Sequence, residues 1–226
     1  QMIWGNSVAI LTGDLIFSRA SLLVSELGTR PMKIQSQTFE RLVLGQLFET
    51  TGPREGQDLL DHYIAVIEGK TGSLIAAAGE YGSLLSGASE EVISMVKTYG
   101  ELVGVAFQLA DDVIDIVSDG KTSGKTRGTD LREGVPTLPT ILLDRAVAAG
   151  DESAREVRAL LDADLSSDEA LETAVEALSA HPVTQEAWQI AYDWADRAIE
   201  AIAPLPDSTA KAALESFAHA VVHREG

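Results

Sequence analysis

Apolar residues recur along this chain at intervals of three and four, with little strand-like alternation. That spacing predicts helices over 6–27, 31–50, 56–69, 70–87, 89–118, 137–149, 151–162, 168–180, 183–203 and 207–224. The punctuation agrees. Pro31 falls in a first helical turn, Ser89 precedes Glu90 and Glu91 as an N-cap, and Pro204 with Pro206 separates two helices. No internal repeat or low-complexity linker interrupts the series, so one helical bundle spanning 1–226 is the expected organisation. The spacing of Phe39, Leu42, Val43 and Leu47 reads as a core stripe, and the apolar neighbours of Asp14 place that residue inside, paired or lining a cavity.

One segment breaks the amphipathic routine. In FQLADDVIDIVSD, an advance of roughly 100° per residue puts Gln108, Asp111, Asp112 and Asp115 on one arc, with Leu109, Ala110, Val113, Ile114, Ile116 and Val117 opposite. The helix is thus half core and half ligand face. Carboxylates this close repel, and no basic residue lies between Lys97 and Lys121 to relieve them. A hard divalent cation with oxygen ligands, joined to a substrate phosphate, would supply the missing charge. A solvated acidic face is the plainer reading of the same string.

Two basic spots bring anions into the picture. The run GKTSGKTRGTDLREGVPTLP follows the acidic helix and carries Lys121, Lys125, Arg127 and Arg132, whose cations are expected to face the acidic end. Its glycines let backbone N–H groups approach a phosphate closely. Upstream, Lys70 and Thr71 in EGKTGSLIAAAG form a second spot beside glycines. His62, His181, His219 and His223 are unclustered, and the His219/His223 pair reads as ordinary helix surface. No G-x-G-x-x-G, nucleophile elbow or Walker loop occurs, which disfavours nucleotide cofactors.

Composition narrows the partners. A net charge of −18 argues against nucleic acid and against an anionic membrane surface. There is no uninterrupted run of 18 apolar residues, so no membrane span is expected. The absence of Cys excludes disulfides and a thiol nucleophile and fits a reducing, cytoplasmic setting. With 45% hydrophobic but only 5% aromatic residues, the chain suits an all-α fold with a sizeable core.

Taken in order, WGNSVAILTGDLIFSRAS, EGKTGSLIAAAGEYGSLLSG, YGELVGVAFQLADDVIDIVSD and GKTRGTDLREGVPTLPTILL resemble the trans-isoprenyl diphosphate synthases of the polyprenyl synthetase family, and AHAVVHREG is similar to that family's C-terminal end. The resemblance implies an all-α isoprenoid-synthase-like bundle around a central cavity, with Asp111, Asp112 and Asp115 as the second aspartate-rich motif holding Mg2+. It also implies that Lys70, Thr71, Gln108 and Lys125 bind the diphosphates, that Gln46 lies near the cavity, and that the apolar helices 6–27 and 31–50 line a tunnel for the growing chain. The implied substrates are isopentenyl diphosphate and an allylic prenyl diphosphate, and the implied assembly is a homodimer or a heteromer.

Two features depart from the family pattern. No first aspartate-rich motif with its paired Arg is present, and Val135 stands where many relatives carry Lys. An N-terminally shortened prenyltransferase is the favoured expectation. A non-catalytic partner subunit is the alternative. A class I terpene cyclase is disfavoured, because Lys70, Thr71 and the GKTSGKTRGTDLREG run suit two diphosphate substrates better.

Overall fold

The structure is a computed structural model and describes residues 3–118 and 127–224. Every regular element among them is helical: α1 (Gly5–Ser25), α2 (Thr29–Thr51), α3 (Leu59–Ile67), a π turn (Glu68–Gly72), α4 (Ser73–Leu85), α5 (Glu90–Val117), α6 (Thr129–Glu133), α7 (Leu138–Ala148), α8 (Glu152–Leu161), α9 (Asp168–Ala180), α10 (Pro182–Ile202) and α11 (Thr209–Val222). The helix starts follow side-chain chemistry legible in the sequence. Asp58, Ser89, Ser167 and Ser208 each accept a hydrogen bond from a backbone N–H in the first turn they cap.

The 28-residue α5 is the axis of the bundle, packed between α4 and α10. Its core face carries Val103, Ala106, Leu109, Ala110, Val113 and Ile116, all fully or almost fully buried. Each large aliphatic side chain withdrawn from water in this way contributes roughly 1.5–3 kcal/mol. Val117, expected on the same face, is exposed because α5 ends there.

Glycine sets the distance between α5 and its neighbour. A Cβ on Gly104 would come within 2.7 Å of the Gly72 Cα, and one on Gly100 within 2.7 Å of the Ile75 carbonyl oxygen. On the opposite side of the π turn, a Cβ on Gly45 would lie 3.0 Å from the Lys70 backbone nitrogen. The π turn is therefore pressed backbone to backbone between α2 and α5, a fit that only glycine permits.

Four expectations change. The predicted break between helices at residues 69 and 70 is instead a continuous run through the wider π turn, and a short helix, α6, forms inside the expected loop. Asp14 is exposed, and so are Phe39, Val43 and Leu47 of the supposed core stripe. The last two differences share one reason. Nothing among the described residues covers the outer side of α1 and α2, and α1 has no buried residue at all. Trp4, Val8, Leu11, Leu15 and Leu22 form an exposed apolar stripe there. By length and composition α1 is also apolar enough to cross a membrane. It nevertheless lies along α2, where Phe17 meets Phe39 at 4.4 Å between ring centroids and Gln35 donates to the Ser21 hydroxyl at 3.0 Å.

Candidate active site

A cleft of about 280 Å³ opens beside the π turn. It gathers Lys70, Thr71, Gln108 and Asp112 with Glu49, Tyr63, Asp130 and the loop residues 135–137. Four of the residues singled out from the sequence thus meet in one place. The π turn delivers Lys70 and Thr71, and α5 delivers Gln108 and Asp112.

A hydrogen-bonded chain runs through the cleft. The Thr71 hydroxyl donates to Gln108 Oε1 at 3.2 Å, and Gln108 Nε2 donates to Asp112 Oδ1 at 3.4 Å. Asp112 Oδ2 accepts from the Tyr63 hydroxyl and from the Leu138 backbone N–H, the latter at 2.9 Å. One buried carboxylate therefore ties α3, α5 and the first residue of α7 together. Desolvation pushes Asp112 up to about 7 despite these donors, and burial beside the Asp112 carboxylate raises the Tyr63 hydroxyl well above the usual tyrosine range.

The three aspartates sit in different surroundings. Asp112 is 4% exposed and turned inward, whereas Asp111 and Asp115 lie outside the cleft lining. Among the described residues no three His, Asp or Glu side chains are gathered as a metal centre. The three carboxylates expected to hold Mg2+ are thus not brought together as one cluster in this structure. Asp112 lies about 100° round the helix from Asp111, close enough to the core face for α3 and α7 to cover it. Asp115 is half-buried, and its carboxyl is raised first by desolvation and then by the charge of Asp130, with Asp111 adding to it. Asp111 is exposed and paired with Arg224 at 2.7 Å.

The basic residues are also engaged. Lys70 Nζ donates to Glu49 at 2.6 Å across the α2 contact. Lys121 and Lys125 lie outside the described residues. Arg127 does not face the aspartates: it donates to the Ile116 carbonyl at the end of α5 and pairs with Glu172. Arg132 pairs with Asp168. Both were expected to face the acidic helix end: Arg127 does reach the end of α5, on a carbonyl rather than an aspartate, whereas Arg132 turns to α9. Val135 lines the cleft with an apolar side chain. His219 on α11 and His223 just beyond it are exposed, in keeping with helix surface.

Glu49, Tyr63 and Asp130 were not singled out from the sequence. Tyr63 lies about two helical turns before Lys70, a signal visible only once α3 and the π turn are known to be continuous. Glu49 meets Lys70 only because Gly45 and Gly69 let two backbones touch.

The architecture is that of an all-helical bundle whose central helix presents carboxylates beside a cationic, glycine-packed turn. The family model for Polyprenyl synthetase matches residues 1–178, and the chain belongs to that family. It is 42% identical over 223 residues to the nonaprenyl diphosphate synthase of Mycobacterium tuberculosis, covering 99% of this chain and 66% of that protein. It is 32% identical to the octaprenyl diphosphate synthase of Escherichia coli, covering 98% of this chain and 68% of that one. Among solved structures, geranylgeranyl pyrophosphate synthase from Corynebacterium glutamicum, complexed with calcium and isoprenyl diphosphate, superposes with a TM-score of 0.87 at 43% identity, covering 99% of this chain and 68% of that chain. The chain spans about two thirds of the length of these relatives.

Proposed function

We propose that the protein is a trans-prenyltransferase that condenses isopentenyl diphosphate with an allylic diphosphate to give a longer prenyl diphosphate. The observation that carries this reading is the convergence of Lys70, Thr71 and Gln108 on one cleft, beside the acidic face of α5, in a chain of this family. In the reaction the allylic C–O bond breaks and pyrophosphate leaves with the electron pair. The double bond of isopentenyl diphosphate then forms the new C–C bond, and a proton passes to the released pyrophosphate.

The residues divide the work. Lys70 supplies a point charge to the leaving diphosphate once it parts from Glu49, and the Thr71 hydroxyl, now donating to Gln108, turns to a phosphate oxygen. Preorganised charge of this kind usually contributes more to catalysis than any other single effect. Lys125 is assigned the same role from the family pattern. Gln108 holds Thr71 and Asp112 in register, and Tyr63 fixes Asp112 so that the rest of α5 presents Asp111 and Asp115 outward. No protein nucleophile is required.

The donor set fits a divalent cation. Asp111 and Asp115 offer hard oxygen atoms, and Asp115, raised first by desolvation and then by the charge of Asp130, lies where a cation would relieve that repulsion. Mg2+ held there by Asp111 and Asp115 would supply charge against the leaving diphosphate. We also infer a cytoplasmic homodimer: the exposed stripe of α1 supplies an apolar surface for a second copy, and the Cys-free composition suits a reducing compartment.

The test is ligand-linked stability of the 226-residue chain. Inorganic pyrophosphate with millimolar Mg2+ should stabilise it by about 2.7 kcal/mol at a hundredfold excess over Kd, read as a rise in Tm. Lys70→Ala should lose most of that rise. An unchanged Tm with both ligands present would refute the diphosphate reading.

A further inference from the structure

Asp111 already has a cation. Arg224, two residues beyond the end of α11, places Nη2 2.7 Å from Asp111 Oδ1 and 3.3 Å from the Phe107 carbonyl oxygen. Its guanidinium carbon sits 3.9 Å above the centre of the Phe107 ring. Phe107 and Asp111 are one helical turn apart on α5, so a single side chain spans both. The seat is imperfect: Arg224 Nε is buried and has no hydrogen-bond partner among the described residues. A buried donor left without an acceptor weakens the contact it accompanies. Asp111 itself is 53% exposed at the side chain, so the ion pair is of the solvent-screened kind and easily exchanged.

We propose that Arg224 is an exchangeable counterion of Asp111. A divalent cation and the guanidinium compete for the same carboxylate, so metal binding frees the Arg224 side chain from the Phe107 side of α5. The proposal rests on the reading of Asp111 as a metal ligand. It adds a coupling that the reading lacks: the Arg224 side chain is held against α5 in the metal-free protein and let go when the cation arrives. The charges of Asp130 and Asp111 both bear on Asp115, but the carboxylate that Arg224 engages is that of Asp111, which makes Asp111 the point of exchange.

Mn2+ binding to the 226-residue chain, followed by electron paramagnetic resonance of the free ion, tests the exchange. Arg224→Gln should tighten Mn2+ binding by about threefold, the scale expected for loss of one exposed ion pair. Arg224→Lys, which keeps the charge, should stay near the parent. In an Asp111→Asn background, Arg224→Gln should change nothing, because the competition needs the carboxylate. Equal tightening in that background would mean a general effect of net charge and would overturn the proposal. So would unchanged or weaker binding by Arg224→Gln. If the parent chain binds Mn2+ normally yet Arg224→Gln has no effect, only the exchange falls. If the parent binds no Mn2+ at millimolar concentrations, the metal reading of Asp111 falls and takes the exchange with it. Far-ultraviolet circular dichroism on each variant confirms that the helices are intact.

Discussion

Asp112 gives the sharpest test of the site's construction. Its carboxyl is pushed from 3.8 up to about 7 by burial, although Tyr63, Leu138 and Gln108 all donate to it. A folded-state value above the unfolded one means that the fold favours the protonated form. The associated stability is therefore fully present below about pH 4 and is lost as pH rises, levelling off above about 7. The displacement corresponds to at most about 4 kcal/mol across that window. Asp112→Asn removes the titration but keeps a carbonyl oxygen for Tyr63 and the Leu138 N–H. Denaturant unfolding of the parent chain and this variant at several pH values between 4 and 8 isolates the contribution, because every other group cancels in the difference. The variant should gain on the parent as pH rises, by roughly 2–4 kcal/mol in all. Asp112→Ala should instead be less stable than Asp112→Asn by about 3 kcal/mol at every pH, since two buried donors lose their acceptor. A stability difference between parent and Asp112→Asn that does not vary with pH would refute the account of a buried, desolvated carboxylate.

Two further outcomes bear on the framework and on the chemistry. Gly104→Ala would thrust a Cβ to 2.7 Å from the Gly72 backbone, so despite its better helix propensity it should lower stability by about 2 kcal/mol in urea unfolding and weaken pyrophosphate binding by displacing Lys70 and Thr71; an unchanged unfolding midpoint would show that α5 and the π turn separate freely. Asp111→Asn should reduce turnover of labelled isopentenyl diphosphate by roughly 10²-fold while moving stability by less than about 1 kcal/mol, whereas a destabilised but active variant would place the chemistry on another residue.

Much of the fold was legible from local rules. Period-3.6 apolar spacing located the long helices, Ser89 capped α5 as its position suggested, and the apolar arc of Leu109, Val113 and Ile116 became the core. These features depend on residues within one or two turns of each other, so the chain itself determines them. The site was less legible because its decisive contacts join distant segments. Asp111 and Asp112 are neighbours with identical chemistry, and only the packing of α3 and the start of α7 against one side of α5 buries the second. Arg127 and Arg132 both read in sequence as facing the acidic helix end, yet Arg127 reaches a carbonyl there and Arg132 pairs with Asp168 of α9. The apolar face of α1 shows the same limit from the opposite side. Its pattern determined a helix and a hydrophobic stripe, but whether that stripe is covered depends on what packs against it, which no periodicity within α1 records.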